Sequence, residues 1–173
     1  MELKDYVTTI PDFPKKGIMF RDITTILENK DGLKLAIDSL EKIIGKTKFD
    51  CIVAPESRGF IFGVPIAYNL NKKFVPVRKK GKLPRETINQ DYSLEYGTAT
   101  LEMNKTGIKK GDKIIIIDDL LATGGTMEAM IKMVESLGGT VVKICVLIEL
   151  PALKGRDLLK NYEVESCVEY EGE

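Results

Sequence analysis

Residues 113–126 read Lys-Ile-Ile-Ile-Ile-Asp-Asp-Leu-Leu-Ala-Thr-Gly-Gly-Thr. The four consecutive isoleucines predict a strand over residues 113–119 that is buried on both faces, as in the interior of a parallel sheet. Two adjacent acids at the exit of such a strand are costly to bury unless they have partners, so Asp118 and Asp119 are candidates for ligand binding. Successive strand residues face opposite sides, so the two acids are expected to do different jobs while the strand stays regular.

The segment after the two acids has the composition of a phosphate-binding turn. Thr123-Gly124-Gly125-Thr126 leads into a predicted helix over residues 125–137. Glycines let backbone N–H groups approach an anion closely, and the start of a helix favours negative charge. The turn lacks Gly-Lys-Ser/Thr and so differs from the nucleotide-triphosphate loop. Acids beside a phosphate turn suit a sugar phosphate; the alternative is an ordinary strand–turn–helix with solvated acids.

Outward from this strand, short apolar segments alternate with helical patterns. Such alternation predicts a parallel sheet covered on both faces, with ligands beyond the carboxyl ends of its strands. Pro76 suggests an irregular or edge position in its strand. Residues 83–90 are polar and predict a mobile loop, and residues 93–103 predict an extended arm. The remaining predicted helices cover residues 31–45, 59–70 and 154–160, and the remaining strands residues 51–54, 74–77, 141–150 and 164–170.

The composition argues against several classes of function. Lys plus Arg and Asp plus Glu both number 26, and a neutral chain is a poor candidate for binding nucleic acid or a membrane surface. No apolar run approaches the roughly 20 residues that span a bilayer. Cys51, Cys145 and Cys167 lie far apart in apolar stretches, which predicts buried thiols in a reducing, cytoplasmic compartment. The chain has no histidine, so proton transfer near neutral pH must use other groups.

The apolar run, the two acids and the Thr-Gly-rich turn together resemble the signature of the type I phosphoribosyltransferases. Other segments resemble the members of that family that use adenine, and they follow in family order along nearly the whole chain. Ala122 stands where members that use 6-oxopurines usually carry a catalytic aspartate. The resembling segments are residues 13–23, 56–63, 78–84, 93–97 and 149–156.

The resemblance implies one α/β domain over residues 1–173, with a type I phosphoribosyltransferase-like parallel sheet flanked by helices. It implies a small N-terminal hood at residues 1–30, which binds the base, and a flexible loop and arm at residues 83–103. The implied reaction is a purine salvage step that converts adenine and phosphoribosyl diphosphate to AMP and diphosphate. The resemblance also implies a homodimer and a requirement for Mg²⁺, held mainly through the substrate diphosphate with no direct protein ligand predicted.

The resemblance assigns catalysis to Glu95, which would protonate or hydrogen-bond adenine near N7, and to Tyr96, which would close over the site. Closure by residues 83–90 would shield the reactive sugar cation from water. The implied base-binding residues are Phe20, which would stack on the ring, Met19 and Arg21, which would read its edge through their main chain, and Leu150, which would cover the opposite face.

Two further segments are predicted to bind the diphosphate. Arg58 follows a buried strand, where an arginine and exposed backbone donors can bind it; the alternative is a helix-capping turn with Ser57 as the cap. Arg78, Lys79, Lys80 and Lys82 form a dense basic cluster; the alternative is a solvated face, and the family pattern favours all but Lys80. The residues predicted to bind phosphoribosyl diphosphate are therefore Asp118, Asp119, Ala122, Thr123, Gly124, Gly125, Thr126, Glu56, Ser57, Arg58, Arg78, Lys79 and Lys82.

Two other functions stay open beside the adenine reaction. One is a transferase for another nucleobase, against which Ala122 and residues 93–97 argue. The other is a non-catalytic regulator that binds phosphoribosyl diphosphate, against which the chain length and neutral charge argue. A dinucleotide-binding oxidoreductase is excluded because no Gly-x-Gly-x-x-Gly turn follows any predicted strand.

Overall fold

Strands and helices alternate along most of the computed structural model, which describes residues 1–93 and 97–172. The strands are β1 (Thr8–Pro11), β2 (Met19–Asp22), β3 (Cys51–Pro55), β4 (Lys73–Lys79), β5 (Thr87–Ser93), β6 (Thr98–Asn104), β7 (Lys113–Leu121), β8 (Thr140–Glu149) and β9 (Val164–Glu169). The helices are α1 (Thr24–Leu27), α2 (Lys30–Ile44), α3 (Arg58–Asn69) and α4 (Gly125–Ser136).

The isoleucine-rich strand β7 lies inside the sheet, between β3 and β8, and runs parallel to both. Ile114 and Ile116 pack into a core on the face covered by α4, and Ile115 and Ile117 pack into a core on the face covered by α2 and α3. All four isoleucines are completely buried. The prediction of a two-faced buried strand is thus confirmed, and the strand extends past the two acids to Leu121.

The main sheet of the described residues is mixed, with strand order β5-β6-β4-β3-β7-β8-β9. Strands β3, β4, β7, β8 and β9 are parallel, whereas β5 and β6 pair antiparallel and β6 joins β4 antiparallel. The prediction of a parallel sheet therefore needs correction at this edge. Strand β6 pairs with β4 only at Arg78 and Lys79. At Pro76, the pairing described for β4 is therefore with β3 alone.

The prediction of a loop over residues 83–90 is wrong for residues 87–90, which belong to β5. This strand is polar because only one of its faces meets protein. Ile88 and Tyr92 pack on the core, while Asn89, Asp91 and Ser93 are exposed. A strand with one wet face carries polar residues at alternate positions, and these obscured it in the sequence.

The N-terminal region meets the segment after β9, where Lys4 lies 5.1 Å from the ring centroid of Tyr170. Strands β1 and β2 form a separate antiparallel pair within the region predicted as the hood. After β8 the chain makes two 3-10 turns, at Pro151–Leu153 and Gly155–Leu159, in place of the single helix predicted over residues 154–160. Lys154 separates the turns with a left-handed φ of 56°. No helix in the described part of the chain is long and apolar enough to cross a membrane.

Candidate active site

Three adjoining cavities form one groove at the carboxyl ends of the parallel strands. The largest, about 900 Å³, is called the base cavity here and is lined by Met19, Tyr92, Leu150 and Leu153 among others. A second, of about 200 Å³, shares Thr123 and Gly125 with it. A third, of about 160 Å³, shares Arg58, Asp118, Asp119 and Thr126 with the second and Tyr92 with the first.

The phosphate turn, residues 122–126, lines the second cavity and leads into α4. Gly124 is the N-cap of α4 and has a left-handed φ of 88°. A Cβ at Gly124 would lie 2.8 Å from the carbonyl oxygen of Gly155, so no side chain fits there. The first backbone N–H groups of a helix lack acceptors within the helix, and here they border the cavity, as phosphate binding requires.

Gly155, which sequence reasoning missed as a site residue, supports the phosphate turn. A Cβ at Gly155 would overlap the carbonyl oxygen of Ala122 and lie 2.9 Å from Cδ1 of Leu121. The next residue, Arg156, donates from Nε and Nη2 to the buried carboxylate of Glu149, each over 2.7 Å. This pair lowers the pKa of Glu149. Residues 149–156 were among the segments that resemble the family, but no pattern in the sequence connects them with the phosphate turn.

The two acids lie in the same groove but make different contacts, as strand alternation predicted. Oδ2 of Asp119 lies 3.0 Å from Nε of Arg58, and Oδ1 of Asp118 accepts the backbone N–H of Asp119 over 2.8 Å. Both acids are buried. Burial raises the pKa of Asp118 well above its ordinary value, the adjacent Asp119 raises it further, and Arg58 opposes the shift.

The turn after β3 contains a cis peptide bond between Glu56 and Ser57. Ser57 is the N-cap residue of α3, but its side chain makes no capping hydrogen bond, so the alternative of a simple capping turn finds no support. The Glu56 carboxylate accepts the backbone N–H of Lys79 over 2.7 Å and Nη2 of Arg78 over 3.2 Å. Burial opposes ionisation of Glu56, but these donors outweigh it and lower its pKa.

The basic segment, residues 78–83, begins in the last two residues of β4. Lys79 lines the third cavity together with Arg58 and the two acids. Nη1 of Arg78 donates to the carbonyl oxygen of Lys82 over 3.3 Å. The structure thus brings Lys79 beside the acids, while the side chain of Arg78 is directed to Glu56 and shapes the segment itself.

The structure places two of the four predicted base-binding residues in the lining of the base cavity and the other two outside it. Met19 and Leu150 line the base cavity. Phe20 and Arg21 are not among its lining residues: the ring of Phe20 packs edge-on against Phe13, with 5.1 Å between centroids. The guanidinium carbon of Arg21 lies 4.4 Å from the ring centroid of Tyr170. Their roles toward the base stay predictions.

The predicted catalytic residues Glu95 and Tyr96 lie outside the described residues. In the described part of the chain, no group of three or more His, Cys, Asp or Glu side chains could hold a metal ion. The oxygen-rich pair Asp118 and Asp119 fits Mg²⁺ only in combination with ligands from a substrate, because Mg²⁺ demands several oxygens at short range.

The chain is similar to known phosphoribosyltransferases in sequence and in structure. The family described as phosphoribosyl transferase domain matches residues 22–172. An adenine phosphoribosyltransferase of Lachnoclostridium phytofermentans is 60% identical over 171 residues, which cover 99% of this chain and 98% of the relative. A crystal structure of adenine phosphoribosyltransferase from Thermoanaerobacter pseudethanolicus is 50% identical, with a TM-score of 0.94 over 97% of this chain and 98% of that one. The Saccharomyces cerevisiae enzyme, solved with an imino-altritol bisphosphate and adenine, is 40% identical, with a TM-score of 0.90 over 96% of each chain.

Proposed function

This chain belongs to the phosphoribosyltransferase family, and on that premise we propose that it transfers the phosphoribosyl group of phosphoribosyl diphosphate to adenine. The products are AMP and diphosphate, as in a purine salvage pathway. One observation carries the proposal: a cavity with apolar walls at Met19, Leu150 and Leu153, a phosphate turn with two acids, and a basic segment adjoin in the groove. These three parts match, in order, the base, the ribose 5-phosphate and the diphosphate.

The phosphate turn and the acids hold the sugar phosphate. The backbone N–H groups at the start of α4, with the hydroxyls of Thr123 and Thr126, bind the 5-phosphate. Asp118 and Asp119 accept hydrogen bonds from the ribose hydroxyls. Arg58 is 3.0 Å from Asp119, which joins the ribose region to the diphosphate region.

Cations stabilise the negative charge of the departing diphosphate. Lys79 and Arg58 border the cavity beside the acids, and Arg78 and Lys82 add positive charge along the same segment. Glu56 contributes by holding Arg78 and the backbone of Lys79. Mg²⁺ held mainly through the substrate diphosphate would supply further charge neutralisation.

The base occupies the cavity between Met19 and Leu150. N9 of adenine, in the tautomer that carries its ring proton on N7, attacks C1 of the ribose as the bond to diphosphate breaks, and Glu95 hydrogen-bonds N7 and takes up this proton. Phe20 would stack on the base, Arg21 would read its edge through its main chain, and Tyr96 would close over it with the arm. Positioned acid–base groups of this kind contribute about 10²–10⁴-fold in rate.

We further propose a cytoplasmic homodimer. All three cysteines are free thiols, in keeping with a reducing compartment.

Val64 and Tyr68 on α3 are 46% and 84% exposed and lie one helical turn apart, away from the groove. Exposed apolar side chains of this kind favour an interface. Light scattering should give twice the chain mass for the wild type and a monomer for Tyr68→Glu combined with Val64→Glu.

A substrate panel tests the proposed reaction. Diphosphate release should require adenine, phosphoribosyl diphosphate and Mg²⁺ together, with AMP as the product. Equal or better turnover of hypoxanthine or guanine would identify a transferase for another base. The variant Glu95→Gln should still bind phosphoribosyl diphosphate but lose most turnover; binding without any turnover in the wild type would identify a regulator.

A further inference from the structure

A buried carboxylate that the proposed mechanism does not use lies directly behind the basic segment. Glu102 on β6 is 4% exposed and pairs in register with Arg78 of β4. Its Oε1 accepts the backbone N–H groups of Lys82 over 3.0 Å and Leu83 over 2.7 Å. Its Oε2 accepts the hydroxyl of Thr87 over 3.5 Å.

The basic segment needs such a support because its own side chains repel each other. Four cations, Arg78, Lys79, Lys80 and Lys82, fall within five consecutive residues. Glu56 holds the start of the segment through Arg78 and Lys79, and Glu102 holds its end through two backbone N–H groups. Burial opposes ionisation of Glu102, but the backbone donors outweigh it and lower its pKa, so a full negative charge faces the segment at neutral pH.

We propose that Glu102 is a positioning residue for diphosphate: it holds residues 78–83 in the shape that presents Lys79 and its neighbours to the leaving group. The inference rests on the proposed function. The role proposed for Glu102 involves no contact with substrate, because it acts only through the backbone that it binds. The base cavity and the phosphate turn do not depend on it, because Glu102 lines neither.

Three substitutions separate its possible roles. Glu102→Ala leaves two backbone N–H groups without their acceptor. Glu102→Asp keeps the charge but withdraws the carboxylate from these donors by one methylene group. Glu102→Gln retains an oxygen at the Oε1 position, which can still accept both N–H groups.

The matched control is Asp112→Ala. Asp112 also accepts a backbone N–H, from Lys109 over 2.9 Å, and a lysine ammonium, from Lys73 over 2.6 Å. It immediately precedes β7 and so lies at the amino end of the sheet, opposite the groove. Its loss should lower stability without changing the affinity for any substrate.

The readouts are titration calorimetry with Mg²⁺–diphosphate and with AMP, and the KM of each substrate. Losing the acceptor of these two backbone donors should weaken diphosphate binding about tenfold in the Ala and Asp variants, with AMP affinity and the KM of adenine unchanged to within about twofold. The Gln variant should recover most of the diphosphate affinity. If the Ala variant does not fold, the Asp and Gln variants carry the comparison.

Unchanged diphosphate affinity in the Asp variant would overturn the inference, and so would an equal loss of diphosphate and AMP affinity, which indicates general unfolding. A wild type that neither binds diphosphate nor forms AMP would instead overturn the proposed function. The two failures are therefore distinguishable.

Discussion

Two adjacent acids in the groove are buried where an ionised carboxylate is costly. Asp118 is buried at the end of an apolar strand, and its neighbour Asp119 carries a second carboxylate. Among the described contacts, the ion pair of Arg58 is made with Asp119, and Asp118 has no ion pair. A buried acid without a cationic partner costs free energy when it ionises, and ribose hydroxyls would supply the missing hydrogen-bond donors.

Asp118→Asn should therefore raise stability while it lowers activity. The pKa of Asp118 is higher in the folded protein than in the unfolded chain. Wild-type stability therefore falls as the pH rises from the pKa of the unfolded chain toward that of the folded protein. The amide has no such dependence. Thermal melts should show a higher Tm for the variant at neutral pH and a shrinking difference toward the ordinary Asp pKa of about 3.9.

The control for this prediction is Asp118→Asn combined with AMP at saturating concentration, where the variant should gain less thermal stability from the ligand than the wild type. A variant with lower stability at neutral pH would contradict the argument from burial.

Gly155→Ala should weaken the binding of phosphoribosyl diphosphate. The new Cβ would overlap the backbone of Ala122, so the phosphate turn must move. Displaced donors at a charged ligand cost about 1.5–3 kcal/mol, equivalent to a roughly 10- to 150-fold rise in KM for phosphoribosyl diphosphate. Steady-state kinetics with each substrate varied in turn gives the measurement.

Gly111→Ala is the matched control. Gly111 has a left-handed φ of 87° and open space around it, so alanine costs about 1–3 kcal/mol of strain without a clash. Gly111 lies before β7, away from the groove. An equal rise in KM in both variants would show that lost stability, not the displaced turn, explains the effect.

At the scale of secondary structure elements, the hood packs into the core through Leu3, Ile23 and Ile26 and also contacts the C-terminal segment. Arg21 on β2 packs on the ring of Tyr170, and Lys4 approaches the same ring at 5.1 Å. The backbone N–H of Tyr170 donates to the carbonyl oxygen of Glu149 over 3.0 Å. Because Leu150 follows Glu149 and Met19 lies on the same strand as Arg21, this contact links the two walls of the base cavity.

Tyr170→Leu should raise the KM of adenine several-fold, since it removes cation–π contacts worth about 0.5–2 kcal/mol. Tyr170→Phe keeps the ring and loses only a hydroxyl that is buried without a described hydrogen-bond partner. The Phe variant should therefore match or exceed the wild type in Tm and leave the KM of adenine unchanged. Adenine kinetics and melts on both variants test this; equal effects of Leu and Phe would show that the hydroxyl, not the ring, holds the hood.

At the scale of the whole molecule, the mixed sheet and its two cores enclose the thiols. Cys51 and Cys145 are completely buried, and Cys167 on the edge strand β9 is half-buried, less than predicted. Burial raises the pKa of each thiol to about 12. A thiol reacts as its thiolate, so all three should be inert in the folded protein.

A chromogenic disulfide reagent at about pH 8 should consequently label almost no thiol in the native protein. In guanidinium chloride the same reagent should label all three cysteines. AMP should slow any residual labelling, because a ligand that binds only the folded state lowers the population of unfolded chains. Rapid native labelling of Cys51 or Cys145 would show that the sheet opens far more readily than its packing indicates.

Much of the fold and groove could be predicted because it depends on neighbours in the chain. The isoleucine strand, the glycine turn and the helix α4 could each be predicted from a run of consecutive residues. The polar strand β5 was not, since its pairing with β6 and its single buried face leave only weak alternation. The contact of the Glu56 carboxylate with Arg78 and Lys79 was not predicted, because it required knowing that β3 and β4 are adjacent.

The amino-acid sequence alone thus determined the central strand, the two acids and the phosphate turn, because backbone propensity and periodicity act over a few residues. Tertiary structure alone decided that Gly155 lies under the turn and that Glu102 binds the end of the basic segment. Such contacts join residues that are distant in the chain, and their energies depend on burial and distance, which appear only once the sheet has brought the strands together.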